Sequence, residues 1–117
     1  MRKIYYLSTC DTCARIIREL GGLNGFIFQD IKENNIGPEA LDAIAEQMGS
    51  YEALFSRRAR KYRSMGLGDQ DLSERDYRKL ILEEYTFLKR PVIVIGDHVF
   101  VGNAKATVQA AQEALEG

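Results

Sequence analysis

The residues best suited to chemistry in this sequence are Cys10 and Cys13, the only two cysteines in the chain, with Asp11 and Thr12 between them. An ionised thiol is a nucleophile, a redox group and a metal ligand. Two cysteines three positions apart cannot form the framework of a disulfide-rich secreted domain, so the pair indicates redox or metal chemistry. Packing of two small apolar side chains is the alternative interpretation.

The neighbouring residues predict the position of this pair in the fold. The apolar run from Lys3 to Leu7 is typical of a short strand that ends at Ser8 and Thr9. From Asp11 onward apolar residues follow helical spacing until two glycines at 21 and 22 end the pattern. Cys10 is therefore expected at a junction between a strand and a helix.

This junction favours an attacking role for Cys10. Its sulfur would lie beside unpaired backbone N–H groups and the positive end of the helix dipole, which stabilise a thiolate. Cys13, one helical turn later, is within reach for a disulfide and less exposed, so we predict that it is the resolving thiol. The carboxylate of Asp11 opposes ionisation of Cys10, and we expect only moderate activation.

Metal binding is not expected. Zinc sites have four ligands, and His98 is the only further residue of the Cys or His type. The turn signal at Gly96 and Asp97 indicates that His98 lies near a hairpin turn, facing solvent. We therefore predict no metal-binding residues.

The rest of the chain predicts an α/β fold in one domain, residues 1–117. Further strands are expected at Phe26–Phe28, Pro91–Ile95 and His98–Val101. A helical insertion, approximately 37–86, separates the halves of a four-stranded mixed sheet with the order βαβ then ββα. Within it, Gly37-Pro38 begins one helix, Ser50 another short one through Phe55, and Ser73 with Asp76 a third that includes Tyr85; Gly102-Asn103 caps a last helix from Ala104 to Leu115.

Charge and hydropathy exclude several partners. The chain has 16 basic and 17 acidic residues, so no overall field attracts nucleic acid or an anionic membrane. It has no signal-peptide pattern and no apolar run of about 18 residues. We expect a cytoplasmic protein that binds neither nucleic acid nor membrane, and any bound anion must be held by a local cluster.

Three motifs together resemble the ArsC/Spx-like family of thioredoxin-fold proteins. They are the segment Tyr5–Cys13, the pair Arg57-Arg58 with Tyr62 downstream, and Leu88-Lys89-Arg90-Pro91 before a strand. The order and spacing of the motifs match the family over essentially the whole chain. The resemblance implies a thioredoxin-like sheet that carries the helical insertion between its two halves.

The resemblance also implies roles for individual residues. Cys10 corresponds to the nucleophile, Pro91 to a cis-proline beside it, and Arg58 and Arg90 to arginines that bind an anion near the sulfur. We assign substrate or anion binding to Arg58, Arg90, Pro91 and Thr12. The other cations of the basic segment are interpreted as a solvated face; they are Arg57, Arg60, Lys61 and Arg63.

The favoured function is a thiol-disulfide oxidoreductase of the arsenate reductase-like family. It needs no bound cofactor and takes glutathione, or a thioredoxin or glutaredoxin partner, as reductant; its substrate is a thiol, a disulfide or a small oxyanion. One alternative is an Spx-type redox-sensing regulator that binds RNA polymerase. Another is a glutathione- and glutaredoxin-dependent arsenate reductase, although Asn103 stands near the place where arsenate-reducing members carry a third arginine, and those members lack the second cysteine.

Overall fold

A computed structural model describes all 117 residues of the chain. The four strands are β1 (Arg2–Tyr6), β2 (Ile27–Asp30), β3 (Val92–Ile95) and β4 (His98–Val101). The five α-helices are α1 (Asp11–Glu19), α2 (Pro38–Met48), α3 (Arg60–Ser64), α4 (Glu74–Glu83) and α5 (Lys105–Glu116). No helix combines the length and the apolarity needed to cross a membrane.

The strands form one mixed sheet in the order β2-β1-β3-β4. β1 pairs in parallel with β2 and antiparallel with β3, and β3 pairs antiparallel with β4. All four residues of β3 are buried, as its purely apolar sequence predicts for an inner strand. The predicted fold class, an α/β fold with a four-stranded mixed sheet, is confirmed.

The chain divides into two compact units. The sheet unit comprises residues 1–34 and 90–117, and the helical unit comprises residues 35–89. The helical unit lies within a few residues of the insertion predicted at about 37–86. The single thioredoxin-like domain expected for residues 1–117 stays a prediction.

The core of the sheet unit packs α1 and α5 with the sheet. Ile4 and Ile16 are fully buried in it, and half-buried side chains of α5 pack against the same cluster. Removing such side chains from water supplies roughly 1.5–3 kcal/mol for each fully buried Ile. Buried members of this cluster are Ile4, Ile16, Leu20, Leu23, Phe26, Ile93, Ile95 and Ala111.

The core of the helical unit is centred on Phe55, which is completely buried. Its ring stacks on Phe87 with the ring centroids 5.0 Å apart, and it contacts Tyr77 at 4.9 Å and Tyr62 at 6.1 Å. Aromatic pairs at these separations add to the free energy gained from burial alone. A single side chain therefore links several segments of this unit.

Local signals determine where two of the helices begin and end. Gly37 is the N-cap of α2, Pro38 its first residue, and Gly49 ends it in the left-handed conformation with φ of 93°. At α4, the Asp76 N–H donates to Ser73 Oγ at 3.2 Å, and the Ser73 N–H donates to the Asp76 carboxylate at 2.9 Å. The predicted capping box is therefore present.

Several helix boundaries differ from prediction. Asn103 does not cap α5: Ala104 is the N-cap, without a side-chain hydrogen bond, because Asn103 lies one residue too early. The helix predicted from Ser50 to Phe55 is a 3₁₀ turn at Glu52–Leu54. Tyr85 begins another 3₁₀ turn, Tyr85–Phe87, and is not part of α4.

Candidate thiol site

Cys10 is the N-cap residue of α1, at the end of a tight turn that leaves β1. The Cys10 N–H donates to the Leu7 carbonyl at 3.0 Å, which closes the turn around Ser8 and Thr9. Its backbone is extended, with φ of −95° and ψ of 113°, and its carbonyl accepts the Ala14 N–H at 3.1 Å. The predicted strand-to-helix junction is therefore present, and Cys10 occupies the residue directly before the helix.

The two thiols differ in exposure. Cys10 is half-buried, whereas Cys13 has 0% of its surface exposed. Both cysteines are free thiols in this structure. Cys10 is therefore partly accessible to solvent, whereas Cys13 is shielded from it.

Opposing effects act on the pKa of Cys10, and the net result is a lowered value. Partial burial is the largest single effect and raises the pKa. The backbone N–H groups of Cys13 and Thr12, the Cys13 thiol and the Arg90 side chain together outweigh it. These N–H groups are the two that a capping side chain would bind, so the sulfur takes the place of a capping oxygen.

The pKa of Cys13 is raised to about 11. Burial is the main cause, because a thiolate loses its hydration there, and the neighbouring Cys10 sulfur raises the pKa further. A hydrogen bond with the backbone of Leu7 and the charge of Arg90 partly oppose this shift. At neutral pH the pair therefore consists of one activated and one protonated thiol.

Arg90 and Pro91 enter the sheet at the edge where β1 ends. Tyr5 pairs with Val92 across β1 and β3, which places Pro91 one residue further toward the carboxyl end of β1. The Arg90-Pro91 peptide bond is cis, the isomer that the resemblance implies, and Pro91 is buried. The Arg90 side chain lowers the pKa of Cys10 through a hydrogen bond and that of Cys13 through its charge. Arg90 is therefore part of the same site as the two cysteines.

The other two predicted site residues are placed as follows. Thr12 is the second residue of α1 and is half-buried, and its backbone N–H helps to lower the pKa of Cys10. Arg58 belongs to the helical unit, where it is exposed and its backbone N–H donates to Ser56 Oγ at 3.4 Å. Anion binding by Arg58 and by the Thr12 side chain stays a prediction.

One contact beside the site was not predicted from the sequence. Ser8 Oγ donates a hydrogen bond to the Asp30 carboxylate at 2.5 Å. The contact joins the turn that precedes Cys10 to the end of β2. A polar residue at the carboxyl end of each of two neighbouring parallel strands was the available signal, because such ends meet at one edge of a sheet.

Together, the fold and the dithiol define a class of protein. A four-stranded mixed sheet whose first helix begins at a CxxC pair describes a thioredoxin-like protein with a thiol site. A family model described as the ArsC family matches residues 5–111. The chain belongs to the ArsC family. A comparison with curated proteins finds no match.

Solved structures support the fold. An arsenate reductase from Vibrio cholerae is 18% identical with a TM-score of 0.77, and the alignment covers 95% of each chain. The SACOL0876 protein of Staphylococcus aureus is 24% identical with a TM-score of 0.76, covering 94% of this chain and 97% of that one. An arsenate reductase (ArsC) related protein from Brucella melitensis is 25% identical with a TM-score of 0.67, covering 93% and 92%.

Proposed function

We propose that this chain is a thiol-disulfide oxidoreductase in which Cys10 is the nucleophile and Cys13 the resolving thiol. The contrast between the two sulfurs carries the proposal: the accessible one has a lowered pKa, and the buried one has a pKa raised to about 11. Membership of the ArsC family supports thiol-dependent redox chemistry. The contrast adds an order of events to that chemistry.

In the first step the Cys10 thiolate attacks one sulfur of a substrate disulfide. A bond forms between Cys10 and that sulfur, the substrate S–S bond breaks, and the second substrate thiolate leaves and takes a proton from solvent. Arg90 and the first N–H groups of α1 stabilise the thiolate before attack. The product is a mixed disulfide at Cys10.

In the second step Cys13 attacks the Cys10 sulfur. The bond between Cys10 and the substrate breaks, a Cys10–Cys13 disulfide forms, and the substrate sulfur that was bound to Cys10 leaves as a thiolate and takes a proton from solvent. Cys13 must first lose its proton. Because the Cys10 charge contributes to the raised pKa of Cys13 and is absent from the mixed disulfide, formation of that intermediate makes the ionisation easier.

The cycle is a two-electron exchange that needs an external reductant. The substrate disulfide is reduced to two thiols, and the protein dithiol is oxidised to a disulfide. Two equivalents of a small thiol such as glutathione, or one dithiol protein of the thioredoxin or glutaredoxin type, return it to the reduced state. The cysteines carry the electrons themselves, so the cycle uses no resident cofactor.

Incubation with glutathione disulfide tests this order directly. The reduced chain should lose both free thiols and release glutathione. The Cys13→Ser variant should stop as a glutathione adduct on Cys10, and Cys10→Ser should form no adduct; mass spectrometry of the peptides distinguishes these products. An adduct formed first on Cys13 contradicts the proposal. No exchange at all, combined with capture of the RNA polymerase α subunit, would favour the regulator instead.

Arsenate is a second candidate substrate, which the family match and Arg90 beside Cys10 favour. Asn103, at the place of a third arginine, carries no charge. A missing charge-assisted hydrogen bond costs about 1.5–3 kcal/mol, which is roughly one to two orders of magnitude in affinity. We therefore propose that the chain is at best a poor arsenate reductase.

Steady-state assays with arsenate, glutathione and glutaredoxin test this ranking. Asn103→Arg should strengthen arsenate binding by roughly one to two orders of magnitude, whereas Asn103→Gln, which adds length without charge, should not. Efficient turnover by the unaltered chain that is lost in Arg58→Ala and Arg90→Ala would show that the ranking of substrates is wrong.

A further inference from the structure

The turn that presents Cys10 is attached to the neighbouring strand through Ser8, whose hydroxyl and backbone N–H both interact with Asp30. Tyr6, the last residue of β1, pairs with Asp30, the last residue of β2, so the two parallel strands end side by side. Ser8 lies two residues beyond the end of β1. Its hydroxyl donates to the Asp30 carboxylate at 2.5 Å.

Asp30 is itself firmly held. Its second carboxylate oxygen accepts the Lys32 N–H at 3.1 Å, and the adjacent Ile31 N–H donates to the Tyr6 carbonyl at 2.9 Å. The Ser8 hydroxyl is the main cause that lowers the pKa of Asp30, and the Lys32 N–H adds to it. Asp30 is therefore a fixed, ionised acceptor at neutral pH.

Apart from this contact, the turn is exposed and its backbone hydrogen bond is internal. Ser8 and Thr9 are both exposed, and the Cys10 N–H bond to Leu7 closes the turn without attaching it to another strand. The Cys10 sulfur interacts with the N–H groups of Thr12 and Cys13 and with the Arg90 side chain, all of which lie after the turn in the sequence. The turn itself is attached to β2 by the contact of Ser8 with Asp30, two residues 22 positions apart.

We propose that Asp30 is a positioning residue of the thiol site: through Ser8 it holds the turn so that the Cys10 sulfur stays beside the N–H groups of Thr12 and Cys13. The proposal rests on the proposed role of Cys10 as the nucleophile. Asp30 touches neither the substrate nor the sulfur in this role. It maintains the geometry in which the helix start can stabilise a thiolate.

If Asp30 acts by positioning the turn, its removal changes the pKa of Cys10 in one direction; if it acts only through its charge, its removal changes that pKa in the other. A carboxylate near Cys10 disfavours the thiolate through its charge alone, so its loss by that route would lower the pKa of Cys10. Loss of positioning moves the sulfur away from the N–H groups and raises the pKa. The direction of the shift therefore separates the two roles, while Cys13 and Arg90 stay unchanged in every variant.

The experiment measures the rate of Cys10 alkylation by iodoacetamide as a function of pH, with peptide-level mass spectrometry. In Asp30→Ala we expect a higher pKa for Cys10 and, at pH values below that pKa, alkylation slower by about three- to tenfold, since one pKa unit is tenfold in thiolate fraction in that range. Ser8→Ala should shift the pKa of Cys10 in the same direction but by less, because the backbone N–H of residue 8 can still interact with Asp30. The double variant should show no shift beyond that of Asp30→Ala, because that change already breaks the whole contact.

Two matched variants complete the design. Asp30→Asn removes the charge but keeps an oxygen that can accept from Ser8, so it should retain the low pKa. Asp97→Ala removes an exposed aspartate from the turn between β3 and β4, and it should change nothing. Thermal unfolding of each variant checks that the chain is folded at the assay temperature.

Either of two results overturns the proposal: an unchanged or lowered Cys10 pKa in Asp30→Ala, or additive effects of the Ser8 and Asp30 changes. If Asp30→Ala does not fold, the comparison of Ser8→Ala with Asp30→Asn decides in its place. Failure of the proposed function gives a different result, since Cys13 would then be alkylated before Cys10 in the unaltered chain.

Discussion

The sheet unit and the helical unit are stabilised in different ways. In the sheet unit the ionic contact is Arg15 with Glu19, an exposed pair 3.7 Å apart on one helix. The helical unit has three ion pairs with N–O distances of 2.6–2.8 Å, and each joins residues from different segments. These pairs are Arg57 with Glu52, Lys61 with Glu84, and Arg78 with Asp42.

The helix starts show the same contrast. In the helical unit, Ser73 satisfies the N-terminal N–H groups of α4 with a capping box. In the sheet unit, the N-cap position of α1 is occupied by Cys10, which has no oxygen to cap the helix and whose sulfur instead has its pKa lowered by the N–H groups of Thr12 and Cys13. The comparison indicates that the helical unit uses its polar groups for stability, whereas the sheet unit leaves the N–H groups of α1 available to a thiolate.

Core truncations should give the largest effects, in both units. Ile16→Ala should cost about 2–5 kcal/mol and Phe55→Ala about 3–5 kcal/mol, because each leaves a cavity where a fully buried side chain was. Thermal and denaturant unfolding measure both. If the chain folds as the single predicted domain, both variants shift one common transition.

Exposed residues provide the controls for these truncations. Ile27 is 55% exposed on β2 and Met65 is 48% exposed in the helical unit, so their change to Ala should cost less than about 0.5 kcal/mol. Two separate transitions, each moved by the variant of only one unit, would contradict the prediction of a single domain.

The capping box should give the next effect. Ser73→Ala leaves the Asp76 N–H without its partner and should lower the free energy of unfolding by about 1 kcal/mol, within a range of about 0.5–2. Ser73→Asn, which preserves a capping oxygen, should recover most of this loss. Equal stability of the alanine variant and the unaltered chain would show that the box does not support the helical unit.

The charge of Asp42 should have a smaller effect on stability, and this effect should disappear in acid. Arg78 is the main cause that lowers the pKa of Asp42 to about 2, and the hydroxyl of Tyr51 adds to it. Because the ordinary pKa is about 3.9, the contribution of Asp42 is fully present above about pH 4. It is lost as the pH falls through about 2.

Asp42→Asn should therefore flatten the pH dependence of stability between about pH 4 and 2. The quantity to compare is the slope for the two proteins, since Asp30, Asp76 and Glu84 also have lowered pKa values and titrate in both. Exposed ion pairs are usually weak, so we expect an effect below that of the cap. Identical slopes would contradict the prediction.

Sequence patterns predicted the elements whose limits are set by nearby residues. Gly37, Pro38 and Gly49 mark the ends of α2 because each imposes its own backbone conformation. The basic segment was interpreted as a solvated helix face, but the bounds of α3 were not predicted, because five residues make too few turns to establish an apolar period. At α5, the predicted cap at Asn103 lies one residue before the observed N-cap, Ala104. A capping preference does not determine where the preceding strand ends and the helix can begin.

The site was predictable to a similar degree. The strand, the helical period and the CxxC spacing are local, and they placed Cys10 and Cys13 correctly at the start of α1. Arg90 and Pro91 came from the resemblance to the family. The contact of Ser8 with Asp30 depends on which strands become neighbours, and this is set by packing of the whole sheet. The role of Arg58 in anion binding stays a prediction.

The smallest predicted effect tests the contrast between the helix starts most directly. Cys10→Ser should abolish disulfide exchange and yet leave the fold as stable, or more stable by up to about 1 kcal/mol, because a serine hydroxyl is a better acceptor than a thiol for the first N–H groups of α1. Unfolding measured as a function of pH separates the contribution of the thiolate, which decreases as the pH falls. Ala104→Ser is the matched control: it adds the same hydroxyl to α5, whose N-cap makes no side-chain bond, and it should bring a similar gain without affecting exchange. A destabilised Cys10→Ser variant beside a stabilised Ala104→Ser variant would mean that the Cys10 thiol itself supports the fold. In that case Cys10 stabilises the start of α1 as Ser73 stabilises the start of α4. The proposed difference between the two helix starts would then be wrong.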